Sequence, residues 1–470
     1  MDEFPCCAIY SSFLRRLRFE PECTFAEGRP VFVARAPGRL DALGGVVDYS
    51  GGTVAEMPLA VAVTAALQPR ADRTLRLVSL GGADEGRQAV VEVELDALLG
   101  RDYPAIAADL AREPAAAWAA YVAGAWAVLA GEGLVDGFAG GAEVVLASDV
   151  PSGAGVSSSA AVEMATLFAL AAQLELDLTP TALAHLGQRV ENHIVGAPCG
   201  LMDQLTSSLG RADSLLVIRC QPDQILANRH LPPGVHLGAI DTGVKHSVGG
   251  LNYGRARVAA FMAHAIILDH LRALGTVGPE DDPFGGYLSN VPAAEYERAY
   301  RPLLPAELSG ESFVARWGHH GDAVTTVDPD LEYRPLAAAD HHLRENANLP
   351  IFLADLEAWE RTRDPAWLID AGERMIAGHA GYRDDLGLGA EEADLLLDLA
   401  MAEGPAAGVY GGRITGGGSG GCVALLGDER LPALLPRLAA VYAANTGLTP
   451  TVIHGSSDGA AASGVLHQVF

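Results

Sequence analysis

The sequence predicts an α+β protein of two domains, for which its length and its mixture of strand and helix patterns are the main observations. The chain has 470 residues, more than a single hydrophobic core usually accommodates. We expect one domain over residues 1–215 and a second over residues 216–470. Residues 275–340 are rich in proline, glycine and charge, which indicates an elaboration of the second domain by short helices and long loops.

The first half opens with apolar residues at helical spacing and continues with strand-like runs such as V-V-E-V-E-L. Within residues 31–59 we expect a strand, a loop rich in glycine and charge, and a second strand. Further strands are predicted over residues 61–67, 74–79, 89–95, 142–147 and 214–219. Helices are predicted over residues 11–19, 114–130, 160–174 and 180–194, the last one starting from the cap-like Thr179.

The second half of the sequence also combines strand and helix patterns. Strands are predicted over residues 235–241, 409–415, 422–426 and 449–454. Helices are predicted over residues 255–274, 349–358, 370–380, 389–402 and 431–445.

The composition excludes several function classes. A formal net charge of −27 argues against nucleic acid and anionic membranes as partners. No apolar stretch is long enough for a membrane span, and the start M-D-E-F-P-C-C lacks the basic and apolar parts of an export signal. The six cysteines form no C-x-x-C pair, as expected of reduced thiols, so we expect a cytoplasmic protein.

Lys245 is the only lysine, and this excludes two kinds of site. The Walker-type phosphate loop needs a lysine beside its last glycine, and a Schiff-base enzyme needs a reactive lysine in its site. Lys245 itself is either a surface residue or a charge that contacts a ligand.

Residues 150–161, V-P-S-G-A-G-V-S-S-S-A-A, have the pattern of a loop that holds a phosphate and leads into a helix. Glycines let the backbone approach a ligand, and the free N–H groups of the helix start attract an anion. Serine hydroxyls add hydrogen bonds or reach a magnesium ion. Taken alone, the same letters also fit an ordinary glycine-containing loop with a serine cap.

Three other polar segments accompany this loop. Arg39, Asp41 and Asp48 lie among glycines between two strands, Glu191 precedes Asp203 by twelve residues, and residues 416–421 read G-G-G-S-G-G. Separately these segments fit a charged hairpin loop, a surface glutamate with a capping aspartate, and a simple turn. Their joint occurrence favours a functional site.

The sequence resembles the GHMP superfamily of sugar and related kinases. The motifs A-R-A-P-G-R-L-D-A-L-G-G-V-V-D-Y-S-G-G (34–52), V-P-S-G-A-G-V-S-S-S-A (150–160) and I-T-G-G-G-S-G-G (414–421) occur in the order found there. The segment V-E-N-H-I-V-G-A-P-C-G-L-M-D-Q (190–204) is similar to the galactokinase branch. Together with H-S-V-G-G-L-N-Y and H-G-S-S-D-G-A, it is similar to the kinase part of plant L-arabinokinases. The resemblance implies the two-domain GHMP fold, with the active site in the cleft between the domains.

The resemblance also implies ATP-dependent phosphorylation of a sugar at its anomeric hydroxyl. Asp203 matches the base that accepts the hydroxyl proton, and Arg39 matches the arginine that orients it. Ser158 or Ser159 would bind Mg²⁺, with Glu191 as the carboxylate ligand. The ATP phosphates would be held by Gly153, Ala154, Gly155, Val156, Ser157, Ser158 and Ser159.

The sugar hydroxyls would contact Asp48, the backbone near Gly200, and Tyr253. A second glycine-rich loop would close over substrate and phosphates through Gly416, Gly417, Gly418, Ser419 and Gly420. Where galactokinases carry a glutamate and a histidine, this chain has Gly45 and Val46. The family's glutamate binds the exocyclic hydroxyl of a hexose. Its loss therefore suits a pentose and favours L-arabinose as substrate.

Two other functions stay open at this point. The chain fits a galactokinase or another sugar-1-kinase, and it also fits a non-catalytic regulator that binds sugar and ATP. A decarboxylase acting on a diphosphate fits poorly, because the sequence offers no extra basic residues for that substrate. Monomer and homodimer are equally compatible with the sequence.

Overall fold

The computed structural model describes residues 7–245 and 251–470. Within them the helices are α1 (Cys7–Leu17), α2 (Tyr103–Leu110), α3 (Ala119–Gly131), α4 (Ser158–Gln173), α5 (Pro180–Arg189), α6 (Met202–Leu209), α7 (Leu251–Ala273), α8 (Ala293–Glu295), α9 (Gly310–Trp317), α10 (Pro335–Thr362), α11 (Ala366–Asp384), α12 (Glu391–Ala407), α13 (Leu431–Thr446) and α14 (Ala460–Ser463). The strands are β1 (Pro30–Leu43), β2 (Thr53–Pro69), β3 (Thr74–Ser79), β4 (Val90–Glu94), β5 (Ala142–Ser148), β6 (Ser214–Arg219), β7 (Gln224–His230), β8 (His236–Asp241), β9 (Leu308–Ser309), β10 (Glu332–Tyr333), β11 (Val409–Ile414), β12 (Cys422–Gly427), β13 (Thr451–His454) and β14 (Val465–Val469). The mixed α and β class is confirmed.

The larger sheet has the strand order β14-β1-β2-β5-β3-β4. The long strand β2 pairs with β5 through its second half and with β6 through its first four residues, and β6 in turn pairs with β7. The pairing of β3 with β5 is parallel, and the other described pairings in this sheet are antiparallel. Helix α4 packs on β1 and β2, which brings the start of α4 to the centre of the sheet.

The second sheet is antiparallel, with the order β11-β12-β8-β13. Helices α11 and α12 cover β11, and α13 packs on β8. One apolar core runs from the larger sheet into this one, with Leu237 and Ala424 joining Leu67 and Leu216. The predicted boundary at residues 215/216 falls inside β6, and β14 returns the chain end to the first sheet. The division into domains stays a prediction.

Several elements differ from the sequence expectations. The strand predicted over residues 61–67 is the second half of the long β2. The helix predicted over 180–194 ends at Arg189 and continues as a wider π-helical turn, Val190–Val195. Helix α10 starts at residue 335 and not at 349, because buried polar residues such as His341, His342 and Glu345 hide its apolar spacing.

Elements that were not expected include α2 and α14, as well as α6, β7 and β14. Helix α6 is absent from the predictions because its letters M-D-Q-L-T-S-S-L are mostly polar, although Gln204, Thr206 and Ser207 are buried. Strand β7 is largely exposed and pairs with β6. Strand β14 follows a glycine and pairs with β1, more than 400 residues earlier in the chain.

Candidate active site

Arg39 and Asp203 line a cavity of about 460 Å³. Strand β1 carries Arg39, and the first turn of α6 carries Asp203. The Arg39 Nε donates a hydrogen bond to Asp203 Oδ1 at 2.8 Å. The side chain of Arg39 is 3% exposed, whereas that of Asp203 is 17% exposed and faces the cavity. The structure therefore brings the two predicted catalytic residues into direct contact.

The second oxygen of Asp203 is held by Ser157. The Ser157 hydroxyl donates to Asp203 Oδ2 at 2.5 Å. Ser157 adopts a left-handed backbone conformation with φ of 56° immediately before α4. Sequence reasoning assigned Ser157 to the ATP phosphates and missed this contact, because the two residues are 46 positions apart. Both carboxylate oxygens of Asp203 are thus fixed by a donor.

Two buried carboxylates, those of Glu56 and Asp41, lie near Arg39 in addition to Asp203. Glu56 Oε2 lies 3.3 Å from Arg39 Nε, and Asp41 is close by on β1. Burial, followed by the charges of Asp41 and Asp203, raises the pKa of Glu56 well above its ordinary value. Burial opposes the charge of Arg39, but Asp203 and Glu56 outweigh it and raise its pKa. Of these carboxylates Asp203 makes the shortest contact with Arg39, at 2.8 Å against 3.3 Å for Glu56.

The serine-rich loop lies on one wall of the cavity. Gly153, Gly155, Ser157, Ser158 and Ser159 line it. Gly153 and Gly155 have φ of 73° and 72°, values that favour glycine. Helix α4 starts at Ser158, as expected for an anion-binding helix start.

The other two predicted loop residues do not line the cavity. Ala154 and Val156 are buried. The carbonyl of Ala154 accepts from Cys422 N at 2.8 Å, and that of Val156 accepts from Arg39 N at 3.0 Å. Their role is to attach the loop to β12 and β1.

Glu191 lies on the π-helical turn after α5 and lines the cavity, close to the start of α4. Burial and then the charge of Asp203 raise its pKa to about 7, while hydrogen bonds from Ser159, Cys199 and Gln204 oppose this rise. Gln204 Nε2 donates to Glu191 Oε2 at 2.7 Å and to Glu163 Oε2 at 2.9 Å. Of the two predicted metal-binding serines, Ser159 is the one that contacts Glu191.

Glu163 is a buried acid that sequence reasoning missed. It lies in the apolar helix α4 with no exposed surface, and burial together with the charge of Glu191 raises its pKa well above the ordinary value. A lone glutamate in the run A-A-V-E-M-A-T-L was the available signal.

The opposite end of the cavity is formed by Asp48, Gly200 and Tyr253, together with Val46. A Cβ at Gly200 would lie 1.8 Å from Asp48 Oδ2, so only glycine fits beside this carboxylate. Burial and then the charge of Asp203 raise the pKa of Asp48 to about 6. Three of the four predicted sugar-binding residues are therefore close together.

Gly45, the fourth, is not among the cavity-lining residues. A Cβ at Gly45 would lie 2.1 Å from the Tyr382 hydroxyl and 2.3 Å from Asp41 Oδ2. Its neighbour Val46 lines the cavity instead, with a left-handed φ of 57°. Tyr382 is 337 positions away in the sequence, and no local pattern indicated this contact.

The second glycine-rich loop meets the cavity through Gly416 and Gly417. Gly418, Ser419 and Gly420 do not line it, and Ser419 N donates to the Leu388 carbonyl at 2.6 Å. The Tyr382 hydroxyl donates to the Gly416 carbonyl at 2.6 Å. The loop is thus held by Tyr382 of α11 and by Leu388, which lies between α11 and α12. Its first two glycines line the cavity.

Beyond the serine loop the cavity is lined by Trp118 and Tyr121, with Leu80, Arg87 and Leu146 nearby. The Trp118 Nε1 donates to the Gln88 carbonyl at 2.9 Å, which fixes the indole. The sequence predicts only a helix rich in aromatic residues here. This end offers the apolar and aromatic surface that a nucleobase requires.

Lys245 is exposed and is not among the cavity-lining residues. Residues 246–250, which hold most of the segment H-S-V-G-G-L-N-Y, lie outside the described residues. Within the described ranges no group of three or more His, Cys, Asp or Glu side chains is arranged to hold a metal ion. No helix in these ranges is both long enough and apolar enough to cross a membrane.

Two family models match the chain. The GHMP kinases N terminal domain matches residues 120–211, and the galactokinase galactose-binding signature matches residues 22–69. The first range contains the serine loop, Glu191 and Asp203, and the second contains Arg39 and Asp48.

Similar curated proteins include an L-arabinokinase and galactokinases. The L-arabinokinase of Arabidopsis thaliana is 36% identical over 93% of this chain, which spans 46% of that protein's length. The galactokinase of Chloroflexus aggregans is 32% identical, covering 89% of this chain and 90% of that protein.

Solved structures share the fold. Galactokinase of Lactococcus lactis, complexed with galactose, matches with a TM-score of 0.73 at 21% identity, covering 96% of this chain and 99% of that one. Mevalonate kinase of Methanococcus jannaschii matches with a TM-score of 0.54 at 13% identity, covering 90% and 98% of the two chains.

Proposed function

The chain belongs to the GHMP kinase family, among its galactokinase-type sugar kinases, and from this premise we propose that it converts L-arabinose and ATP into L-arabinose 1-phosphate and ADP. The observation that carries the choice of sugar is the wall at residues 45 and 46. Gly45 has no side chain and does not line the cavity, and Val46 presents an apolar one. A sugar without an exocyclic hydroxymethyl group leaves no hydroxyl unpaired against this wall. The similarity to an L-arabinokinase supports the same choice.

Asp203 is the proposed proton acceptor for the anomeric hydroxyl. As the sugar oxygen bonds to the γ-phosphorus, its proton passes to an oxygen of Asp203, and the bond from phosphorus to the ADP oxygen breaks. Arg39 and Ser157 fix the carboxylate, so it meets the sugar in one orientation. Phosphoryl transfer is mostly positioning and charge stabilisation, which suits a site built from fixed donors.

The loop Gly153–Ser159 and the start of α4 are proposed to hold the ATP phosphates, and Trp118 and Tyr121 to contact the base. Ser159 and Glu191 fit a Mg²⁺ site, since this ion usually takes one or two carboxylates and completes its shell with phosphate oxygens and water. Burial and the charge of Asp203 raise the Glu191 pKa to about 7, and a divalent cation beside it would favour its ionised form. A bound Mg²⁺ would supply the charge that stabilises the transferring phosphate. We retain a cytoplasmic location as a prediction.

The test compares purified protein on L-arabinose and D-galactose, with ADP release coupled to a spectrophotometric signal. We expect a higher kcat/KM for L-arabinose and a product in which NMR locates the phosphate on C1. A preference for D-galactose would favour galactokinase activity, which the similarity to galactokinases over 90% of their length also allows. Tight sugar binding without ADP release would identify a regulator.

A further inference from the structure

Arg257 lies behind the sugar end of the cavity and is not part of the machinery described above. It follows Tyr253 by four residues on α7, so both side chains lie on one face of the helix. Arg257 is 5% exposed. A buried arginine at this place needs partners for every nitrogen of its guanidinium group.

Asp322 supplies the first set of contacts. Arg257 Nε donates to Asp322 Oδ2 at 2.7 Å and Arg257 Nη2 to Oδ1 at 2.8 Å, a two-point ion pair. The Asp322 carboxylate is itself fixed by the Thr325 hydroxyl at 2.6 Å and by Val324 N at 3.2 Å. Burial would raise the pKa of Asp322, but the hydrogen bonds and charge of Arg257 keep it below its ordinary value. Asp322 belongs to the region 275–340 predicted as an elaboration.

The third nitrogen of Arg257 contacts the segment just before Gly200, at the sugar end of the cavity. Arg257 Nη1 donates to the Pro198 carbonyl at 3.0 Å and to the Cys199 carbonyl at 3.4 Å. The next residue is Gly200, whose backbone lies against Asp48. The guanidinium carbon also lies 5.2 Å from the ring centre of Tyr49, the residue after Asp48. One side chain thus contacts both segments that form this wall.

We propose that Arg257, held by Asp322, is a positioning residue that fixes Gly200 and Asp48 at the distance needed to bind the acceptor sugar. The elaborated region then serves the acceptor site by supplying Asp322. The inference rests on the proposed function only in taking this end of the cavity as the sugar end. A role in stability alone is a weak account, since buried ion pairs add little net stability compared with apolar packing.

The experiment uses Arg257→Lys and Asp322→Asn in the full chain. Lysine keeps the charge but lacks the planar fork, so it cannot hold Asp322 and the Pro198 carbonyl together. Asparagine keeps the shape and loses the ionic partner. The matched control is Arg301→Lys, which breaks a similar two-point pair with Asp340 in the same region, at an arginine that is 45% exposed.

We expect KM for the acceptor sugar to rise at least tenfold in both variants, with KM for ATP changed less than twofold and no change in the control. Hydrogen–deuterium exchange should become faster in peptides that contain Gly200 and Tyr49, as a loosened wall requires. Equal changes in both KM values, or unchanged exchange in these peptides, would overturn the inference. If the wild-type chain phosphorylates neither sugar, the proposed function fails, and the exchange data alone decide the role of Arg257.

Discussion

Replacing Asp203 with asparagine separates proton transfer from site assembly. The amide oxygen can accept from Arg39 Nε, where Asp203 Oδ1 accepts at 2.8 Å, and the amide nitrogen can donate to the Ser157 oxygen. Glu56 lies 3.3 Å from Arg39, so a second carboxylate stays beside the arginine when Asp203 is replaced. We therefore expect the variant to fold and to bind sugar with a Kd within about threefold of wild type.

Its turnover should fall sharply. A general base contributes about 10²- to 10⁴-fold to the rate, equivalent to about 3–5 kcal/mol of activation free energy. The assay is coupled ADP release at saturating sugar and ATP, with sugar affinity measured by calorimetry. Asp96→Asn is the matched control, because Asp96 also accepts hydrogen bonds from an arginine, Arg73, but at the surface. A kcat within tenfold of wild type would remove Asp203 from the base role.

Three further predictions concern Asp48 with the proposed metal-binding carboxylate Glu191, Gly200, and Gly45. Since the pKa of Asp48 is about 6 and that of Glu191 about 7, kcat/KM should decline as pH falls through 7 to 6 and both carboxylates become protonated. Added Mg²⁺ should shift only the Glu191 part of this decline to lower pH, and a profile flat down to pH 5 would contradict the assignment. Gly200→Ala should raise KM for the sugar at least tenfold because its Cβ would lie 1.8 Å from a carboxylate oxygen, whereas Gly254→Ala, with open space at its Cβ, should match wild type. Gly45→Glu should lower stability in urea by about 1–3 kcal/mol through overpacking against a tyrosine hydroxyl 2.1 Å away; a gain in kcat/KM for D-galactose would refute this steric account.

The sequence predicted those parts of the site whose chemistry is local. The loop at residues 150–161 combines its glycines, serines and helix start within twelve positions, and five of its seven predicted ligands line the cavity. Arg39 and Asp203 came from the family resemblance, because no spacing rule relates residues 164 positions apart.

Contacts between distant segments could not be predicted. Tyr382 occupies the space beside Gly45, and Asp322 pairs with Arg257, yet neither residue stands in a recognisable motif. The π-helical turn at Val190–Val195 also has no signal in a run that continues helical spacing, although it places Glu191 beside Ser159. These features depend on packing, which a single sequence expresses only weakly.

The two loop residues that do not reach the cavity explain how the loop can bind an anion. Three successive carbonyls are turned toward the protein: that of Ala154 accepts from Cys422 N at 2.8 Å, that of Gly155 from Arg39 Nη1 at 2.8 Å, and that of Val156 from Arg39 N at 3.0 Å. In a trans peptide the N–H points opposite to the preceding carbonyl. The N–H groups of residues 155–157 therefore point away from the donors that hold those carbonyls, and Gly155 and Ser157 line the cavity. Arg39 thus holds the proposed base with one nitrogen and the proposed phosphate loop with two others, so a single buried residue fixes both relative to each other.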